Sequence, residues 1–152
     1  MANGAGLQNR TALITGASGG IGLELTRLLA ADGYHLVMVG RDRERLEDVM
    51  AQLQSDHKIA VRCEPRDLSE SRPAFQLWAD LTTAGIAIDV LVNNAGVGLY
   101  GLLEEQNAEA LERMLQLNMA ALTTLTRLAL PGMRQRRWGR HTRDLPDSAG
   151  LQ

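Results

Sequence analysis

The sequence has one cysteine, one lysine and no apolar run of 18 residues among its 152 positions. The single cysteine, Cys63, excludes an internal disulfide framework and a zinc site built from several thiolates. The lack of a long apolar run argues against a membrane-spanning helix, and residues 1–8 lack the apolar core of a secretory signal. We therefore expect a cytoplasmic protein with no membrane partner.

Neither the charge nor the histidine spacing indicates a nucleic-acid or metal partner. With 16 basic and 18 acidic side chains, no net field would draw the chain onto nucleic acid, so we expect no nucleic-acid partner. His35, His57 and His141 have no partners at metal-ligand spacing. We therefore predict no metal site.

Short apolar runs alternate with amphipathic stretches along the chain. The runs cover residues 11–15, 36–39, 59–63 and 90–92. The stretches between them repeat apolar residues at helical spacing. Continuous apolar strands joined by helices are typical of a parallel sheet that is covered on both faces. The sequence predicts an α/β fold, a Rossmann-like doubly wound parallel sheet that is incomplete, with about four strands in the order 3-2-1-4.

The first apolar run ends in a glycine-rich turn. The turn consists of Gly16, Ala17, Ser18, Gly19, Gly20, Ile21 and Gly22. Its spacing differs from the G-x-G-x-x-G pattern, but glycine serves the same ends, because it permits a sharp turn and lets backbone N–H groups approach a pyrophosphate. The alternative is a glycine-rich loop with no ligand. Between a strand and an amphipathic helix, the pattern favours a dinucleotide site.

This turn resembles that of the short-chain dehydrogenase/reductase family, and two further matches lie where the family has them. Asn93-Asn94-Ala95-Gly96 follows the fourth run, and Asn118 lies 24 residues after Asn94. The resemblance implies that Asn94, Ala95 and Gly96 lie at the cofactor ribose and that Asn118 belongs to the catalytic site. Taken alone, Asn118 is as compatible with a helix cap or a solvated polar residue.

Residues after two other strands bear on the adenosine half of the cofactor. The resemblance implies that Asp67 contacts the adenine and that Leu68 lies along the ring. Arg41 follows the second strand, which ends at Gly40, and an arginine there suits the extra phosphate of NADP. NAD-binding proteins place an acid near this point, so Asp42 keeps NAD open as the alternative. Arg41 is otherwise a solvated turn residue, and we favour NADP.

The proton chemistry of the family is not found in the sequence. The family uses a tyrosine made acidic by a lysine four residues later, and a serine that holds the reacting oxygen. Tyr34 and Tyr100 are instead followed at that distance by Met38 and Glu104, and the only lysine, Lys58, precedes the third strand. The catalytic set is therefore incomplete.

The final segment also departs from the family. The family serine would fall at Pro146, and Ser148 fits the family segment only loosely, so we assign it no catalytic role. The polar residues after Arg140 do not suggest a fifth strand. We expect residues 1–134 to form a truncated dinucleotide-binding domain and residues 135–152 a disordered polar tail, and we interpret the reading frame as truncated or shifted near Arg140.

The sequence therefore predicts an NAD(P)-dependent oxidoreductase acting on a carbonyl or alcohol of a small molecule, in a chain that lacks most of the active site. The alternatives are a catalytically silent nucleotide-binding fragment and an interaction partner of a full-length reductase. The resemblance implies homo-oligomers. Here we expect association or aggregation, because the edge of the fourth strand at 90–92 and the stripe of Leu122, Leu125 and Leu128 would lack cover.

Overall fold

The computed structural model describes residues 9–143, which are organised around one parallel sheet. Its strands are β1 (Thr11–Thr15), β2 (His35–Gly40), β3 (Val61–Pro65), β4 (Val90–Asn93) and β5 (Arg140–Arg143). Neighbouring strands all pair in parallel, in the order β3-β2-β1-β4-β5. The predicted doubly wound α/β fold is confirmed, including the order of its first four strands.

Helices connect the strands on both sides of the sheet. They are α1 (Gly20–Ala31), α2 (Arg43–Asp56), α3 (Pro73–Thr83), α4 (Ala108–Leu115) and α5 (Leu122–Gln135). A 3₁₀ helix, Leu103–Glu105, precedes α4, and a π-helical segment, Gln116–Ala121, joins α4 to α5. In the part of the chain that the structure describes, none of the helices has both the length and the apolar character needed to cross a membrane.

Each central strand divides its side chains between two cores. In β1, Leu13 belongs to one buried cluster, and Ala12 and Ile14 belong to the other. The first cluster includes the α3 and α5 residues Leu77, Leu81, Leu125, Ala129 and Met133. The second includes the α1 and α2 residues Ala30, Leu46, Val49 and Leu53. Because both faces are covered, successive positions in the middle of each central strand are apolar, which explains the continuous runs.

The fifth strand is a correction to the four-strand expectation. Arg140–Arg143 pairs in parallel with Val90–Asn93, so the edge of β4 is not exposed. The expected disordered tail from residue 135 is likewise wrong as far as residue 143, because Gln135 ends α5, a turn follows, and Arg140–Arg143 forms β5. An edge strand is held mainly by backbone hydrogen bonds, so β5 can form from polar residues without the apolar run by which the other strands were recognised. The remainder of the predicted tail, with Pro146 and Ser148, lies outside the described residues.

Two arginines hold the connection between α5 and β5 in place. Arg136 donates from Nε to Asp89 Oδ1 at 3.1 Å and from Nη2 to the Ile88 carbonyl at 2.7 Å. Trp138 packs against the second cluster, and the Arg10 guanidinium stacks 3.5 Å from the centre of its ring. These contacts fix the turn before β5, so that β5 runs along β4 in the parallel direction.

The leucine stripe of α5 was also wrongly expected to lack cover. Leu125 is fully buried, and Leu122 and Leu128 are half-buried, because the stripe packs on the sheet and on α3. Some of the exposed apolar side chains lie on a neighbouring surface between α3 and α5, where Phe75 is 57% and Met119 58% exposed. The surface available for association therefore differs from the one expected.

Helices α1, α3 and α5 end in the same hydrogen-bonded turn. The first residue beyond the helix cap has a positive φ in each case, at Gly33 (84°), Gly85 (69°) and Arg137 (53°). After α5, the N–H groups of Arg137 and Trp138 donate back to carbonyls of the last turn, as the corresponding groups do after α1 and α3. A side chain in the left-handed region costs roughly 1–2 kcal/mol, so the third turn is strained where the first two are not.

We predict that Arg137→Gly raises the free energy of unfolding by about 0.5–1 kcal/mol, as measured by urea denaturation. Relief of the left-handed strain outweighs the larger unfolded-state entropy of glycine. Gly33→Ala, at the equivalent position after α1, is the matched control and should lower stability by about 1 kcal/mol. A less stable Arg137→Gly protein would contradict the assignment of strain to this residue.

Candidate functional site

A groove opens at the carboxyl ends of β1, β2 and β4. The helix after β1 packs on one face of the sheet and the helices after β4 pack on the other, so the connections diverge between these strands. A crevice at such a switch point is where open α/β sheets bind ligands. The lining residues are Gly16, Ser18, Val39, Gly40, Arg41, Arg66, Asp67, Leu68, Ala95, Gly96, Val97 and Leu117.

The groove gathers part of the predicted site and adds residues that were not predicted. The predicted residues that line it are Gly16, Ser18, Arg41, Asp67, Leu68, Ala95 and Gly96. The predicted residues outside the lining are Ala17, Gly19, Gly20, Ile21, Gly22, Asn94 and Asn118. Val39 and Leu117 could not be distinguished from core residues in the sequence. Arg66 and Val97 could have been suspected, since each lies next to a motif residue at a strand end.

Thr15 and Asn94 join the ends of β1 and β4. The Thr15 Oγ1 accepts hydrogen bonds from the backbone N–H groups of Asn94 (3.1 Å) and Ala95 (3.0 Å). In return, Asn94 Nδ2 donates to the carbonyl oxygens of Thr15 (3.1 Å) and Gly16 (3.3 Å). An amide meets this need because it donates, whereas an aspartate would bring only acceptors. Asn94 therefore fixes the glycine turn relative to β4.

Two glycines of the turn are required by contact distances. A Cβ on Gly22 would lie 2.2 Å from the Gly16 carbonyl oxygen and 2.3 Å from Asn94 Nδ2. Gly16 has a φ of 70°, and a Cβ there would lie 2.7 Å from Asn94 Nδ2. The N–H groups of Gly16 and Ala17 both donate to the Val39 carbonyl, which closes the turn over the end of β2. Helix α1 can therefore begin close to the strands, as the spacing predicted.

The charged residues after β2 have separate tasks. Asp42 Oδ1 accepts a hydrogen bond from the Arg45 N–H at 3.0 Å and caps α2. Its carboxylate is thus engaged at the helix end, which disfavours the alternative in which Asp42 grips a ribose. Arg41 is exposed on the groove wall and belongs to none of the ion pairs among residues 9–143.

The second arginine of the groove, Arg66, is neutralised by its neighbours. The Glu64 carboxylate, which is only 6% exposed, accepts from Arg62 Nε at 2.6 Å and from Arg66 Nη2 at 2.9 Å. Arg66 also contacts the Asp80 carboxylate. Arg66 therefore forms part of the wall and is not a free cation. Among residues 9–143, no group of three or more His, Cys, Asp or Glu side chains is placed to hold a metal ion.

Asp67 is held by three donors at the far end of the groove. Oδ1 accepts from the Ser69 N–H (2.9 Å) and the Ser69 Oγ (2.6 Å), and Oδ2 accepts from Arg113 Nη2 (2.7 Å). Burial acts to raise the pKa of the Asp67 carboxyl, but the Ser69 hydrogen bonds and the Arg113 guanidinium outweigh it and lower the pKa below its usual value. Arg113 also binds Glu70 at 2.6 Å, which ties α4 to this loop.

Asn118 lies in the π-helical segment and reaches the opposite wall. Its Oδ1 accepts from the Val97 N–H at 3.0 Å, and its Nδ2 donates to the Val97 carbonyl at 2.7 Å. The side-chain amide thus pairs with a backbone as a neighbouring strand would. This arrangement holds the chain after Gly96 against the helix. The catalytic role of Asn118 stays a prediction.

Comparisons with known proteins agree with this geometry. The family model described as short chain dehydrogenase matches residues 10–140. The D-beta-hydroxybutyrate dehydrogenase of Cupriavidus necator is 33% identical over 135 residues, which are 88% of this chain and 52% of that protein. The chain spans about half the length of the curated relatives it matches.

Two solved structures show the same fold with a bound dinucleotide. A short-chain dehydrogenase from Sphingobium yanoikuyae in complex with NADPH has a TM-score of 0.82 and 35% identity, covering 88% of this chain and 52% of that one. The L-sorbose reductase from Gluconobacter frateurii, complexed with NADPH and L-sorbose, has a TM-score of 0.83 and 29% identity, covering 90% and 52%.

We predict that Asp67→Asn is less stable than the parent at pH 7 and that the difference narrows as the pH falls to about 3. The ionised carboxylate stabilises the fold above its unfolded pKa of about 3.9, and this contribution is lost as the pH falls through the lower folded pKa. Urea denaturation of both proteins at a series of pH values measures the difference in their free energies of unfolding. Asp48→Asn, which removes a carboxylate on the exposed face of α2, is the matched control. A constant difference for Asp67→Asn would refute the assignment.

Proposed function

Since the chain belongs to the short-chain dehydrogenase family, we propose that it binds a nicotinamide dinucleotide, NADP in preference to NAD, in the groove at the carboxyl ends of β1, β2 and β4. The observation that carries the proposal is the Arg41 guanidinium, exposed and unpaired within residues 9–143 beside the glycine turn. The full reaction would be oxidation or reduction of a carbonyl/alcohol pair on a small molecule, for which the nicotinamide supplies or accepts the hydride.

The glycine turn fits the pyrophosphate of such a ligand. Helix α1 begins at Gly20 with no acidic residue in its first turn, so its positive end is not neutralised. A Cβ on Gly20 would meet no atom within 4 Å, which leaves the backbone open to an approaching anion. Asn94 and Gly22 hold this backbone in place without entering the groove.

The choice of NADP is supported by the charges after β2 and by the relatives. Asp42 is engaged in capping α2, whereas the Arg41 guanidinium is available to a phosphate. A guanidinium binds phosphate through paired, charge-assisted hydrogen bonds. The Sphingobium yanoikuyae and Gluconobacter frateurii proteins both hold NADPH. The adenine would lie towards Asp67 and Leu68, and the nicotinamide towards Ala95 and Gly96.

We propose further that these 152 residues hold the dinucleotide without a proton donor for the carbonyl. Tyr34 is buried in the second cluster, and Tyr100 is 78% exposed with no lysine four residues later. Asn118 is bonded to Val97, so in this arrangement it orders the groove wall. The chain by itself therefore acts as a nucleotide-binding module whose turnover is absent or severely reduced.

A second candidate function is association with another copy or with a full-length relative. Phe75, Leu115 and Met119 form an exposed apolar surface between α3 and the α4–α5 helix. Monomeric proteins rarely leave such side chains grouped in water. None of the residues that line this surface also lines the groove, so the two functions are compatible.

We predict that Arg41→Ala weakens NADP binding by about 1.5–3 kcal/mol and leaves NAD binding nearly unchanged, because only NADP offers the extra phosphate. Isothermal titration calorimetry with both dinucleotides measures the two affinities. Arg43→Ala is the matched control, since Arg43 is paired with Glu47 at 3.5 Å on the exposed face of α2. Equal losses for both dinucleotides, or no binding by the unaltered chain, would contradict the proposal.

We predict that the purified chain does not turn over carbonyl/alcohol pairs at rates typical of the family. Positioned acid–base groups contribute about a hundred- to ten-thousand-fold, and the sequence has no tyrosine followed by a lysine four residues later. Cofactor absorbance reports turnover, and the Cupriavidus necator dehydrogenase assayed alongside serves as the positive control. Robust turnover by a preparation that mass spectrometry shows to contain only residues 1–152 would falsify this part of the proposal.

A further inference from the structure

We propose that Arg45, in the first turn of α2, is a second specificity-determining residue for the phosphate that distinguishes NADP from NAD, and that it acts with Arg41 as a clamp. This inference rests on the NADP binding proposed above. Its starting observation is the position of the Arg45 guanidinium against the glycine turn. A Cβ on Gly19 would lie 3.5 Å from Arg45 Nη2 and 3.7 Å from Arg45 Cζ.

The backbone around Arg45 is fixed by the helix cap. Its N–H donates to Asp42 Oδ1, so the start of α2 and the direction in which Arg45 leaves the helix are set together. The turn after β1 reaches the same place from the other side, since a Cβ on Gly40 would lie 3.2 Å from Ser18 Oγ. Two loops that are distant in sequence therefore meet where the guanidinium lies.

The charges at this meeting point are unbalanced. Of the arginines near the groove, Arg43 is paired with Glu47, and Arg66 is held by two carboxylates. Arg41 and Arg45 belong to no ion pair in the described part of the chain. A dianionic phosphate that reached both guanidinium groups would supply the negative charge that neither finds in a carboxylate.

The shape of the site agrees with a phosphate as the missing anion. Gly19 brings no side chain, so the Arg45 guanidinium lies directly beside the backbone of the turn, with Nη2 3.5 Å from the point that a Cβ would occupy. Ser18, which lines the groove beside Arg41, adds a hydroxyl that can donate to a phosphate oxygen. A phosphate here would meet one guanidinium from the end of β2, one from α2 and the hydroxyl of the glycine turn. NAD lacks this group and would leave Arg45 without a contact.

The test compares Arg45→Met with Arg43→Met, which removes a paired arginine two residues earlier on the same helix. Calorimetry at low and moderate salt gives the dissociation constants of NADP and NAD for each protein. We expect Arg45→Met to weaken NADP binding by roughly five- to twenty-fold and NAD binding by less than about two-fold. The dependence of NADP affinity on salt should also become shallower. Arg45→Lys, which keeps the charge but not the planar fork, should lie between the parent and Arg45→Met.

Several outcomes would overturn this inference. Equal weakening of NADP and NAD would place Arg45 at a part that the two dinucleotides share. An Arg45→Met protein that binds both as Arg43→Met does would show that the guanidinium contacts neither, while leaving the Arg41-based proposal intact. Failure of the unaltered chain to bind NADP would overturn both proposals. Because Arg45 is exposed, circular dichroism melting should show parent-like folding for each variant.

Discussion

The groove depends on the hydrogen bonds that lock the end of β1 to the end of β4. Thr15 Oγ1 accepts hydrogen bonds from the backbone after β4, and the Asn94 side chain donates to the carbonyls of Thr15 and Gly16, which fixes the glycine turn. Gly22 approaches this junction so closely that no Cβ fits. With the junction in place, α1 begins directly after the carboxyl end of β1, and the loops after β2 and β3 form the side of the groove where we propose that the adenosine binds.

The parts of the fold that could be predicted are those marked by a regular pattern of residue types along the chain. Continuous apolar runs predicted the strands of the doubly wound sheet, and the glycine spacing predicted the turn after β1. β5 was missed because an edge strand is specified by the backbone and by contacts such as Arg136 with Asp89, which are distant in sequence. Arg45 was missed for a related reason. Its charged neighbours resemble a solvated helix face, and only the folded loops bring it to Gly19.

Arginine supplies nearly all the cationic contacts because the chain has a single lysine. Three of these contacts join elements that are far apart in sequence. Arg113 ties α4 to the loop after β3, Arg136 ties α5 to β4, and Arg10 stacks on Trp138. Each uses the planar fork or face of the guanidinium, which lysine lacks. Among residues 9–143, Arg41 and Arg45 form neither an ion pair nor a ring stack, and these are the two arginines that we propose face the ligand.

The pairing of Asn118 with Val97 requires the Asn118 side chain to leave its helix in one direction, towards the groove wall. Successive residues of an α-helix are rotated by about 100° around its axis. Deleting or inserting one residue between α4 and the π-helical segment would turn the Asn118 amide away from Val97 and leave both backbone groups of Val97 without these partners. The number of residues in this part of the chain is therefore constrained by the direction in which the Asn118 side chain must point.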